Sequence, residues 1–284
     1  MGNSQTHQSN DLHDDLAFAH ALADLADAIS LDRYQAQDLV VTTKPDSTPV
    51  TDADRAVETA IREAISTHRS NDGLVGEEFG IDKGESSRYW VIDPIDGTKN
   101  FMRGVPIWAT LLALVEINVS GNEEVIVGVV SAPALSRRWS AARGFGAKVR
   151  FNSGELFNDD SESNELHERT IKVSKVSSIS DATISYSDFL GWGERLEPFQ
   201  KMLNSACRTR AIGDFWSHML VAEGSIDVAV EPSLEIWDMA ALEIIVREAG
   251  GAFTDISGRS GPFGSSAVST NGLLHNAVIN GFNP

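Results

Sequence analysis

The stretch Val91–Phe101, VIDPIDGTKNF, ends an apolar, strand-like run in Asp93 and places Asp96 just beyond it. Two like charges at a buried edge repel each other and resist desolvation. Something positive is expected between them. Hard divalent cations such as Mg²⁺ take oxygen ligands, typically a few carboxylates with waters and substrate phosphate. Asp93 and Asp96 are close enough in sequence to share two such ions. Pro94 stiffens the turn between them, and the Ile95 carbonyl is available as a further donor. Three more acids stand at telling places: Glu77 after Gly76 in LVGEEF, Asp54 in VTDADRAVE, and Asp238 at the start of an apolar helix. If the chain turns into a helix after Asp96, the N–H groups of Gly97 and Thr98 form a phosphate cradle. The Thr98 hydroxyl can then orient a water. Taken alone, D-x-x-D-G is also a common turn.

The elements that must position these residues follow from pattern. Residues 1–11 read as a disordered tail. Leu22, Leu25 and Ile29 recur at helical spacing within a helix from Leu12 to Ile29. Thr51 offers an N-cap, with Asp54 three residues on, to a helix that carries Val57, Ile61 and Ile65 on one face. From Tyr89 the period changes, and YWVID, ATLLALVEI, VIVGVVSAP and RRWSAAR read as strands. The polar, acidic stretch 152–168 reads as a surface loop. It is the expected boundary between an N-terminal subdomain, 12–165, with most of the acids and a C-terminal one, 166–284, with Asp238 and the substrate pocket. Strands IKVS and ATISYS, a helix from Asp214 to Glu223, strand IDVAVE, and a helix from Trp237 to Ala249 closed by Gly250-Gly251 follow. AVST and AVING read as short final strands. The mixture implies a layered α/β or α+β architecture.

The formal net charge of -18 argues against nucleic acid or an anionic membrane as partner, since both need a basic footprint. It leaves anionic substrates open, because bound cations reverse the local sign. A single cysteine, Cys207, excludes an intrachain disulfide and a cysteine metal cluster, and it is expected to be an inert, buried thiol. The polar, acidic N-terminus has no signal-peptide pattern, and no apolar run is long enough for a bilayer. A cytoplasmic location is expected. The seven histidines show no nucleophilic or ligand spacing, and His218 reads as a packed residue.

VGEE, WVIDPIDGTKNF and IWDMAALEIIVREAGG together resemble three segments of the inositol monophosphatase family, Mg²⁺-dependent, lithium-sensitive phosphatases that include fructose bisphosphatase. The resemblance runs from Lys44 to about Gly281. It implies a layered αβαβα sandwich, a homodimer, and two to three Mg²⁺ ions per site with Mn²⁺ as a substitute. Glu77, Asp93 and the Ile95 carbonyl match the ligands of a first ion, and Asp93, Asp96 and Asp238 those of a second. Glu77 also matches a contact to a third, weaker ion. Asp54 and Thr98 match the pair that orients the attacking water. Lys44 matches a lysine on a mobile loop near the site.

Within that family, GTKNFMRGVPIW, with Lys99, Arg103 and Trp108, is similar to the histidinol-phosphate phosphatases. Asp214 follows Gly213, and Glu231 matches a position that contacts the substrate alcohol. Histidinol phosphate carries an ammonium and an imidazole that titrates near neutrality, so two acids would favour it. Trp216 or Trp108 would stack on the ring. Against this, Asp214 reads equally as a helix cap, Trp216 as core, and Lys99 and Arg103 as solvated charges. The alternatives are a phosphatase for inositol phosphate or another small ester, and a non-catalytic regulatory binding protein. The complete set of acids argues against the latter.

Overall fold

Two sheets and three layers of helix alternate through the molecule, and the site lies where strand ends and helix starts of the middle layers meet. The computed structural model describes residues 2–44, 48–152 and 166–282. Helix α1 (Gly2–Arg33) is followed by a hairpin of β1 (Val41–Thr43) and β2 (Pro49–Thr51), then by α2 (Asp52–His68). Strands β3 (Gly73–Gly76), β4 (Gly80–Asp82) and β5 (Arg88–Asp96) lead into the short helix α3 (Thr98–Met102). Next come β6 (Ala109–Ile117), β7 (Glu123–Ala132), β8 (Arg137–Ala142), β9 (Gly146–Asn152) and β10 (Leu166–Ile171). The rest is β11 (Thr183–Tyr186), α4 (Leu196–Ser205), β12 (Arg208–Ala211), α5 (Asp214–Ala222), β13 (Val228–Glu231), α6 (Ile236–Glu248), β14 (Ala252–Thr254), β15 (Ala267–Thr270) and α7 (His275–Phe282).

The large sheet has eight strands in the order β10-β9-β8-β7-β6-β5-β3-β4, antiparallel except for β3 beside β5. The small one has five, ordered β12-β11-β13-β15-β14. The period of two along β5 decides what each face meets. Trp90 and Ile92 pack with Leu22, Val57 and Ile61 under α1 and α2. Val91 points the other way and packs with Ala241, Ile244 and Ile245 of α6. Asp93, two residues after Val91, therefore faces the α6 layer. Helix α6 is buried nearly all round because it lies between the two sheets. Beyond the small sheet, Phe199 and Met202 of α4 and Val278 and Phe282 of α7 close a third core. The result is the expected αβαβα sandwich.

Several expectations change. The backbone is helical from Gly2, where a disordered tail was read over 1–11. A helix already nucleated by the apolar face after Leu12 extends at little cost through a segment that lacks proline. Across the boundary expected at 165/166, β10 pairs with β9 from Leu166↔Asn152 to Ile171↔Ala147 and completes the first sheet. Residues 153–165, most of the acidic stretch, lie outside the described residues. AVING is the body of α7, not a strand. Val278 and Phe282, four residues apart, both face the core, a helical spacing that a five-residue apolar run does not reveal. Cys207 is exposed rather than buried. Among the described residues, no helix is long and apolar enough to cross a membrane.

Candidate metal centre

Asp93 and Asp96 end β5 on either side of a register break, and Asp238 opens α6. One carboxylate oxygen from each lies within 4.8 Å of the others. Asp93 is 1% exposed, and its Oδ1 accepts the Ile95 N–H at 2.9 Å, which fixes the turn around Pro94. Asp96 Oδ2 accepts the Phe215 N–H at 2.7 Å, and Asp238 Oδ2 accepts the Glu235 N–H at 2.8 Å. These two acids thus sit on otherwise unpaired donors at the starts of α5 and α6, where the helix dipole favours negative charge. Asp54 is held in the same manner. Its Oδ2 accepts the Thr51 N–H at 2.8 Å in the capping box expected for α2.

Helix ends do not suffice to neutralise the cluster. Burial, and then the charge of Glu77 and the neighbouring aspartates, pushes Asp93 far up. Burial, then Asp214 and Asp238, does the same to Asp96. Asp238 is pushed up to about 7, mainly by burial. Asp54 rises to about 6 for the same reason. Oxygen donors only, converging and unable to ionise together, are what a hard divalent cation fits. Glu77 lies at the end of β3 with Lys44 Nζ on its Oε1 at 2.7 Å, and Lys44 also reaches Glu78 at 2.5 Å. Burial would depress the Lys44 ammonium, but the two glutamates outweigh it and hold it charged.

Thr98 Oγ1 stands 3.1 Å from the Ile95 carbonyl and 3.4 Å from Asp54 Oδ1, so the expected water-orienting pair is brought together. Gly97 adopts a left-handed φ of 85° at the N-cap of α3. A Cβ there would also meet the Ile107 carbonyl at 2.9 Å, so only glycine makes this turn without strain.

A second group of acids adjoins this one, and the charge of its Asp214 acts on Asp96. Glu231, at the end of β13 and 4% exposed, accepts the Ser187 hydroxyl at 2.8 Å. Ser187 Oγ in turn accepts the Asp214 N–H at 3.2 Å. Burial, and then the charge of Asp214, pushes Glu231 up to about 8. Asp214 accepts from Asn100 Nδ2 at 3.3 Å and is raised by burial, with the Lys99 ammonium opposing. It is not the cap of α5. Gly213 holds the N-cap position without a side-chain bond, Asp96 takes the Phe215 N–H, and Asp214 has a left-handed φ of 50°. Ser187 and Asn100 were not singled out from sequence. Ser185 pairs with Ala229 in the parallel β11–β13 ladder, so two residues on, Ser187 comes level with Glu231.

The aromatic and basic residues fare less well. Trp108 is fully buried against Tyr34 and Phe101 and cannot stack on a ligand. Trp216 is partly buried and packs on the core between the sheets. Arg103 is exposed past the end of α3, and its guanidinium makes no ion pair among the described residues. His218 is buried and bonded to Ser269 at 2.6 Å, as a packed residue should be.

The raised carboxylates predict a pH effect. Between the ordinary carboxylate range near 4 and the raised values of about 7 and 8 for Asp238 and Glu231, the unfolded chain is ionised while the folded one keeps its protons. The folded state then binds more protons, and stability falls as pH rises. His20 and His218, pushed down to about 4 by burial, are neutral in both states above about pH 7.5 and do not oppose this. The melting temperature of chelator-treated protein should drop by a few degrees from pH 7 to 8.5. Mg²⁺ should recover more at pH 8.5 than at pH 7. A flat or rising metal-free curve would contradict the crowded cluster.

The family model described as the inositol monophosphatase family matches residues 11–281. The chain is 51% identical over 271 residues to a histidinol-phosphatase of Streptomyces coelicolor, covering 95% of this chain and 97% of that protein. It is 49% identical over 273 residues to a histidinol-phosphatase of Mycobacterium tuberculosis, covering 95% and 98%. Among solved structures, an inositol monophosphatase from Thermotoga maritima superposes with a TM-score of 0.78 at 30% identity, over 95% of this chain and 97% of that one. The match spans both sheets and every acid of the cluster, and the chain belongs to the inositol monophosphatase family.

Proposed function

We propose that the protein is a metal-dependent phosphomonoesterase that hydrolyses L-histidinol phosphate to L-histidinol and phosphate, as its relatives' names indicate for them. The observation that carries the substrate is the paired acids Asp214 and Glu231, joined through Ser187 beside Asp96 of the metal cluster. Inositol and glycerol phosphates offer them no cation. Histidinol phosphate offers an ammonium and a protonatable imidazole, and an arriving cation supplies the counter-charge that lets Glu231 ionise.

Glu77, Asp93, Asp96, Asp238 and the Ile95 carbonyl would hold two to three Mg²⁺ ions, with Mn²⁺ as a substitute. Such ions lower the pKa of a bound water and neutralise charge on phosphoryl oxygens. The chain's own residues do the rest. Thr98 and Asp54, 3.4 Å apart, orient the water for in-line attack, and Asp54 takes up its proton. Its proton affinity near 6 suits that task around neutral pH. The Gly97 and Thr98 N–H groups, at the left-handed turn into α3, bind phosphate oxygens. Lys99 stands by the paired acids, where its charge acts on Asp214. Lys44 holds Glu77 and Glu78, while Trp216 and Arg103 keep at most a peripheral part. By resemblance to the family the enzyme works as a homodimer, and its single cysteine fits a reducing, cytoplasmic setting.

Phosphate release from histidinol phosphate, stopped by chelator and restored by Mg²⁺, tests this reading. Within it, Thr98→Ala should lower kcat about a hundred-fold while KM changes little, since orientation of the water matters in the transition state. A raised KM with unchanged kcat would make Thr98 a binding residue only.

A further inference from the structure

Glu58 is an acid that the proposed reaction does not use, and it is wholly buried. It lies one turn after Asp54 on α2, and Arg62 lies one turn further, so the three form a stripe along one helix face. The lower half of that stripe grips the turn between β3 and β4. Glu58 Oε2 accepts the Glu78 N–H at 2.7 Å, and Oε1 accepts the Phe79 N–H at 3.2 Å. Arg62 Nε donates to Glu58 Oε1 at 2.8 Å, while its Nη2 donates to the Gly80 carbonyl. The guanidinium also lies 5.8 Å from the centre of the Phe79 ring. A Cβ at position 76 would come within 2.0 Å of Glu58 Oε1, so Gly76 is what lets the carboxylate close on the turn. Glu77 sits inside this frame, its own N–H bonded to the Ile92 carbonyl at 3.2 Å.

A helix-surface ion pair at this spacing would be solvated and worth little. Glu58 is neither exposed nor bonded to Arg62 alone. A buried carboxylate is costly unless its oxygens are satisfied. Here the satisfying groups are two successive backbone N–H groups of the turn and the guanidinium that also holds the turn's far end. The rigid object so formed is the loop that carries Glu77.

We infer that Glu58, backed by Arg62, is a positioning residue that fixes the Gly76–Gly80 turn and aims the Glu77 carboxylate at the acid cluster, setting how tightly the site takes a divalent cation. This rests on the reading of Glu77 as a cation ligand. Loss of an outer partner of a ligand costs about 10–100-fold in metal affinity or activity. In the full chain, Glu58→Gln should speed hydrogen exchange at the Glu78 and Phe79 amides. Mg²⁺ affinity by calorimetry should fall about 10–100-fold, with kcat at saturating Mg²⁺ falling less. In a Glu77→Ala background the same substitution should weaken Mg²⁺ no further. Arg62→Lys keeps the charge beside Glu58 but loses the bond to Gly80; it should give the same pattern, smaller, and it decides the matter if Glu58→Gln does not fold. Unchanged exchange at 78 and 79, or unchanged Mg²⁺ affinity, overturns the inference. Undiminished Mg²⁺ binding by Glu77→Ala alone removes the reading of Glu77 instead, and the inference with it.

Discussion

Asp93→Asn should abolish nearly all turnover and leave the fold intact. Asp93 is the acid that both proposed cation positions share, and its carboxylate lies within 4.8 Å of those of Asp96 and Asp238. Metal ions contribute several kcal/mol of charge stabilisation at a reacting phosphoryl group. Losing a shared ligand should therefore lower kcat/KM at least about a hundred-fold, at about 1.4 kcal/mol for each factor of ten. Asparagine can still accept the Ile95 N–H that shapes the turn. It also removes a buried acid that its neighbours repel. The metal-free variant should thus melt no lower than the parent, while the rise in melting temperature on adding Mg²⁺ should shrink. Near-normal turnover with metal still bound would sink the assignment of the cluster.

The second large effect belongs to the paired acids beside the cluster. Glu231→Gln and Asp214→Asn should each lose histidinol phosphate selectively. A hydrogen bond to a charged group contributes about 1.5–3 kcal/mol. Removing one should lower kcat/KM for histidinol phosphate roughly ten-fold to a hundred-fold or more. Glycerol phosphate, with no cation to lose, should be hydrolysed nearly as before. The replacements are conservative in packing, because glutamine can still accept from Ser187 and asparagine from Asn100. Equal losses on both substrates would mean that these acids support the fold or the metal cluster instead.

The two groups of acids were not equally legible in the sequence. Asp93 and Asp96 announce themselves, since an acid that ends a run such as YWVI has to be explained. The cap at Thr51 and Asp54 was visible from local spacing, and the structure forms it. Asp238 carries no local sign beyond a helix start, and only the resemblance of IWDMAALEI placed it. Asp214 shows where local reasoning stops. Its position before a helix suggests a cap, yet the capping acid is Asp96, 119 residues along the chain from the Phe215 N–H that it accepts. Ser187 meets Glu231 through a parallel pairing across 44 residues, which no short-range pattern encodes. Glu58 and Arg62 did have a sequence signal, an acid and a base four residues apart on α2. That signal usually marks a solvated face, and what made it different was the β3–β4 turn folded over it. Trp108 misled for the opposite reason: an aromatic near a motif is as often core, and here it fills the space beneath α3 with Phe101 and Ile95.

Together the two groups of acids would give a metal-dependent phosphatase that selects histidinol phosphate. The most direct test is kcat/KM for phosphate release with saturating Mg²⁺, measured side by side on L-histidinol phosphate and inositol 1-phosphate. A preference for histidinol phosphate of at least about ten-fold is expected, the worth of one charge-assisted bond, with both activities lost on chelation. Equal or greater efficiency on inositol phosphate, or turnover that survives removal of divalent metal, would contradict it.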